Sequence, residues 1–219
     1  MHFEILVEDQ SGKKALDIIV PKIIGDEHTF RVISYKGIGR IPKNLRGSTD
    51  PNKRILLDQL PKLLRGYGKT FVNFSPNFSA AVIVVCDLDN KNRNKFLEEL
   101  RSILKTCNPQ PETRFCIAIE EGEAWFLGDI PAVKKAYPKA KSTYLNAYVN
   151  DSICGTWEQL ADAIFPGGSQ KLSVQGWQRI GAEKSTWSIK ITPHMDVENN
   201  KSQSFCFFNQ KLKELAGII

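Results

Sequence analysis

The chain has 219 residues, 42% of them hydrophobic and 25% charged, enough for one sizeable core and typical of a water-soluble globular protein. No apolar run reaches membrane-spanning length, and Met1-His2-Phe3-Glu4 lacks the basic start and long apolar stretch of a secretory leader, so a cytoplasmic location is expected and a membrane partner is not. The formal charge of +6 favours an anionic partner, while five cysteines with no Cys-x-x-Cys spacing argue against a zinc site and a disulfide framework.

In chain order, Phe3 to Val7 reads as a strand that delivers Glu8 at its carboxyl end, and Glu8 to Gly12 reads as a polar turn. Ala15, Leu16, Ile18, Ile19, Ile23 and Ile24 then recur at helical spacing, with Pro21 as an interruption or kink. Thr29 to Tyr35 is a second strand, followed by a glycine-bearing basic loop. Pro51 is placed at the first turn of a helix whose apolar face is Ile55, Leu56, Leu60, Leu63 and Leu64, with a loop from Gly66 to Ser79.

Val82-Ile83-Val84-Val85-Cys86 is the most apolar run and ends in Asp87-Leu88-Asp89. Side chains alternate along a strand, so these two carboxylates are expected to point the same way from its carboxyl end. Asn94 to Leu104 follows as a helix. Thr113 to Ile119 is a fourth strand, ending in Glu120-Glu121-Gly122-Glu123. Beyond it, Pro131 to Tyr137 and Trp157 to Phe165 read as helical, Pro166 to Ser169 as a break, and Phe205, Phe207, Phe208 and Leu212 as an element that docks back on the sheet.

Strands alternating with helices predict an α/β protein with a mainly parallel sheet, whose ligands bind at the carboxyl ends of the strands. Three acidic groups collect there: Glu8, Asp87 with Asp89, and Glu120 with Glu123. A shared divalent cation explains that convergence, and Mg²⁺ suits carboxylate ligands with retained waters; capping of the following helices is the alternative. From Arg31 to Lys69 there are ten Lys or Arg against two acids. Within that stripe Lys36, Arg40, Lys43, Arg46, Lys53 and Arg54 are the candidate contacts to nucleic acid, a solvated basic face being the alternative.

A glutamate ending the first strand and an Asp-x-Asp on a later hydrophobic strand resemble the Toprim catalytic domain of topoisomerases, primases and OLD nucleases, over about Phe3 to Trp125. More narrowly, Val7-Glu8-Asp9-Gln10-Ser11, Cys86-Asp87-Leu88-Asp89, the stretch from Glu120 to Asp129 and Ser202-Gln203-Ser204-Phe205 resemble a small Toprim-related bacterial family. Its members are often encoded beside ABC-type ATPases in loci thought to defend against phage. The resemblance implies a catalytic core over 1–129 with a mixed, mostly helical C-terminal extension, 130–219, packed on it.

It also implies an OLD-like nuclease acting on DNA or RNA as the toxic effector of a defence system, with an ATPase partner and possible self-association. Glu8, Asp87 and Asp89 would hold Mg²⁺, for which Mn²⁺ can substitute. Glu120 and Glu123 would serve a second ion, and Lys184, with Lys190 behind it, would stabilise charge on the phosphate. The sequence departs from that pattern at Asp9, where many Toprim sequences carry glycine, and at Gly12, near a second OLD acid; Asp9 is the candidate replacement. Those departures keep open a catalytically inactive nucleic-acid-binding or ATPase-docking module. A phosphate-transferring enzyme acting on nucleotides or RNA primers is a further alternative.

Overall fold

The computed structural model describes residues 1–47, 50, 52–75, 78–152 and 154–219. Along the chain run β1 (His2–Val7), α1 (Gln10–Ile24), β2 (Thr29–Ser34), α2 (Leu56–Phe71), β3 (Ala80–Asp87), α3 (Arg93–Lys105) and β4 (Thr113–Ala118). The remainder is helical: α4 (Glu123–Leu127), α5 (Ile130–Ala136), α6 (Ser142–Ala147), α7 (Thr156–Ile164), α8 (Gly168–Ser173), α9 (Trp177–Ile191), a 3₁₀ turn (Thr192–His194) and α10 (Gln203–Ala216).

The four strands form one parallel sheet in the order β2-β1-β3-β4, the α/β architecture expected. Both faces are covered, which is why the strands read as continuous apolar runs rather than alternating ones. Leu6, Val82, Val84 and Cys86 pack on one side with Leu56, Leu60 and Leu64 of α2 and Phe96, Leu100 and Ile103 of α3. Phe3, Ile5, Val7, Ile83 and Val85 pack on the other, against α1 and the helices that follow β4.

That second core runs without a break from Phe3 to Leu212, so the C-terminal third is packed on the sheet's own face. Trp125 of α4 lies between Phe208, stacked at 5.0 Å, and Phe205, edge-on at 5.5 Å. Phe205 and Phe208, both on α10, are fully buried. Truncating either to alanine costs about 3–5 kcal/mol.

Several boundaries differ from the sequence expectation. The expected turn at Gln10 to Gly12 is the first turn of α1, because Asp9 accepts a hydrogen bond from Gly12 N at 2.7 Å and so starts the helix there. Pro21 and Pro61 lie inside α1 and α2 without ending them, and α2 runs five residues past Gly66. Their lost backbone bonds are outweighed by the apolar faces these helices bury. The expected helix start at Pro51 lies outside the described residues; α2 begins at Leu56. The break at Pro166 is real but short, since α8 opens at Gly168.

Candidate active site

β1 and β3 are central neighbours, and the chain leaves β1 toward β2 on one side before returning to β3 on the other. The crevice beyond their carboxyl ends is thus a topological switch point, the usual ligand position in such sheets. Val7 is in register with Val85, which brings Glu8 and Asp87 to adjacent strand ends. Asp87 N donates to Glu8 Oε2 at 3.3 Å, so the two carboxyl groups are close neighbours. They line a cavity of about 50 Å³ with Asp9, Gly12, Glu123 and Lys184, roomy enough for an ion and little more.

The walls of this cavity are close-built. A Cβ on Gly12 would come within 2.6 Å of Val7 Cγ2 and 3.0 Å of Asp9 Oδ1, so no side chain fits where the second OLD acid was sought. Asp9 lines the cavity, but its carboxylate is engaged by Gly12 N and the Ser11 hydroxyl as the cap of α1. Opposite, α9 packs on α1 and carries Lys184 inward. Its Nζ lies 2.9 Å from Glu123 Oε2 and 3.6 Å from Glu121 Oε1.

The electrostatics follow from burial and crowding. Loss of water pushes the Glu8 carboxyl up, opposed by its hydrogen bonds to Asp87 and reinforced by Asp9 and Asp89. Asp87 is pushed well above the usual carboxylate range by burial and then by Glu8, with Lys184 opposing. Burial likewise lifts Glu121 to about 7, although Lys184 pulls it down. Lys184 is held firmly as a cation because Glu123, Glu121 and Asp87 together outweigh its burial. One lysine therefore faces three carboxylates.

Three expected site residues are placed differently. Asp89 follows the buried Leu88 in a left-handed conformation, φ 49°, with its carboxylate on Lys91 at 2.6 Å, so it does not continue the alternation from Asp87. Glu120, also left-handed at φ 61°, turns to the 154–156 loop. It accepts from Cys154 N (3.1 Å), Gly155 N and Thr156 N (both 2.9 Å) and from the Thr156 hydroxyl, and these bonds outweigh burial to hold it low. Lys190 sits over the Tyr137 ring at 5.5 Å. Glu121, which the sequence reading passed over, joins the cluster; its Oε2 is buried without a hydrogen-bond partner among the described residues.

The basic loop leaves β2 at the same edge. Gly37 N donates to Glu8 O at 2.8 Å, anchoring the loop beside the carboxylate pair, and Arg54 reaches Ser34 O at 2.8 Å. Lys36, Arg40, Lys43, Arg46, Lys53 and Arg54 are all exposed. On α9, Trp187 is core at 1% exposure, whereas Trp177 at the start of the helix is 82% exposed.

Among the described residues no group of three or more His, Cys, Asp or Glu is disposed to hold a metal ion. The donor set at the switch point is two carboxylates, Glu8 and Asp87. That set fits Mg²⁺, which takes one or two carboxylates and keeps its waters, and not zinc. Of the carboxylates expected at a second ion, Asp89 is paired with Lys91 and Glu120 is held by the 154–156 loop, while Glu123 lines the cavity paired with Lys184.

No curated protein and no solved structure is similar to the chain. A family model described as "Domain of unknown function (DUF4276)" matches residues 7–215, a span that takes in Glu8, Asp87, Glu123 and Lys184, and the chain belongs to that family.

Proposed function

We propose that the chain is a Mg²⁺-dependent nuclease that cleaves phosphodiester bonds of DNA or RNA at the carboxyl ends of β1 and β3. The observation that carries this reading is the half-buried Glu8–Asp87 pair at adjacent strand ends, where the crowding that raises Asp87 is what a divalent cation would relieve. Glu8 and Asp87 would hold the ion, with Mn²⁺ able to replace it. When bound, it supplies charge neutralisation at the phosphoryl oxygens and a water of lowered pKa. Lys184, which lines the same cavity, would stabilise charge developing on the phosphate. Glu123 and Glu121 keep it protonated and oriented.

The cavity does not admit a nucleobase, so the strand lies across its mouth and presents a phosphate. The exposed cations from Lys36 to Arg54 belong to the segment that Gly37 ties to Glu8 O, and would give sequence-independent backbone contacts. The Toprim resemblance supports the same reading and extends it to the toxic effector of a cytoplasmic antiphage system with an ABC-type ATPase partner. A second reading, a nucleic-acid-binding or ATPase-docking module without catalysis, is favoured by one observation: among the described residues no group of three or more His, Cys, Asp or Glu is disposed to hold a metal ion.

The two readings separate in one experiment. Purified protein is incubated with plasmid DNA, single-stranded DNA and tRNA in Mg²⁺ or Mn²⁺, and Mn²⁺ binding is measured by calorimetry. A nuclease cuts at least one substrate, and Asp87→Asn and Glu8→Gln each abolish both cutting and Mn²⁺ binding while the fold is retained. Cutting that survives in both variants removes the proposed centre; nucleic-acid binding without product in any metal establishes the binding module.

A further inference from the structure

The outer edge of the sheet opposite β2 carries a feature that the nuclease reading does not use. β4 pairs only with β3, so one side of it is an open edge. Val82 N bonds to Glu112 O and Leu88 N to Ala118 O. In a parallel ladder this turns the backbone groups of Arg114 and Cys116 toward β3 and those of Thr113, Phe115 and Ile117 outward. Thr113 O is taken by the Arg114 guanidinium at 3.1 Å. Among the described residues, no hydrogen bond reaches the outward N–H or C=O of Phe115 and Ile117.

This edge forms the floor of a groove of about 510 Å³ between α3 and α10. The α3 wall presents Leu97, Arg101 and Leu104 at helical spacing, with Arg93 at its end, and the α10 wall presents Phe207 and Lys211. Arg114 and Lys211 are balanced by Glu112 and Glu214. Arg93 and Arg101 have no ionic partner among the described residues, and no acid lines the groove.

We propose that this groove is a docking site for an extended acidic segment of a partner protein, added to the sheet as a fifth strand beside β4. An open strand edge offers donors and acceptors in alternation, which only another peptide backbone satisfies together. A nucleic acid strand could meet the N–H groups but would leave the Phe115 and Ile117 carbonyls unpaired beneath it. A second copy of this chain pairing edge to edge would set Arg93, Arg101, Arg114 and Lys211 against themselves, which like-charge repulsion disfavours. Acids alternating with aliphatic residues match both the unpaired arginines and the apolar Leu97, Leu104 and Phe207. The inference does not depend on the nuclease reading.

The test uses the full chain and a fluorescent peptide of about eight alternating glutamate and valine residues, long enough to span β4. Expected are a micromolar complex, slowed amide exchange at Phe115 and Ile117, no complex with the lysine–valine counterpart, and about tenfold weaker binding in an Arg93→Glu/Arg101→Glu variant. Both arginines are exposed, so that variant folds. Any of four results overturns the proposal: no complex at millimolar peptide, binding unchanged in the variant, binding without protection of those amides, or an oligothymidylate that protects them equally well.

Discussion

Replacing Lys184 by methionine removes the cation that faces Glu123, Glu121 and Asp87 while keeping most of its aliphatic bulk. Its side chain is 16% exposed and that of Glu123 4%, so solvent screens the 2.9 Å pair only weakly. Breaking a buried pair by deleting one partner costs about 3–5 kcal/mol. The lower end applies, because Glu121 titrates at about 7 and can take up a proton in compensation. A loss of about 3 kcal/mol at pH 8 corresponds to a fall in Tm of about 9 °C for a chain of this size.

The pH dependence has a definite sign. Glu121 has a folded pKa of about 7 against an ordinary value of 4.5, so between those values the native state binds more protons than the unfolded one, and stability declines as pH rises through the window. Without Lys184 that decline steepens. Urea unfolding followed by circular dichroism at pH 6 and pH 8 measures the deficit, and Glu123→Gln in the methionine background should recover about 2 kcal/mol of it. A variant within about 0.5 kcal/mol of the parent at pH 8, or a double-mutant cycle with no coupling, would refute the account of the site's electrostatics.

Three other outcomes follow from the same geometry. Asp87→Asn should stabilise the metal-free protein at pH 8, by about 1–2 kcal/mol in chemical unfolding, because it removes a carboxylate raised by burial and by Glu8; destabilisation would contradict the crowding. Gly12→Ala should cost about 1–3 kcal/mol despite alanine's better helix propensity, since its methyl collides with Val7, and calorimetry would show a lowered Tm. Glu120→Ala should speed amide exchange at Cys154, Gly155 and Thr156 and cost about 2 kcal/mol, leaving Mn²⁺ affinity intact; loss of Mn²⁺ binding with those amides still protected would make Glu120 a ligand instead.

The parallel sheet was readable because burial on both faces writes each strand as an unbroken apolar run, with helical spacing between runs. The meeting of Glu8 with Asp87 was readable for the same reason, as both end such runs. Asp89 and Glu120 misled because the alternation rule holds only while the strand lasts. β3 ends at Asp87, and both later residues adopt left-handed backbones that redirect them, to Lys91 and to a loop more than 30 residues onward. No local pattern announces such a tether. Glu121 was passed over because its importance comes from Lys184 on α9, whose approach depends on how α9 packs against α1. A carboxylate triplet in Glu120-Glu121-Gly122-Glu123 was the available signal, but not which member would face inward.

Placing Lys184 on a helix so far along the chain has a consequence during synthesis. A ribosome that has made β1 to β4 has produced both Glu8 and Asp87, yet the face that α9 and α10 will cover is still bare and the carboxylates lack their counterion. A nascent or prematurely terminated polypeptide of that kind holds acid without base.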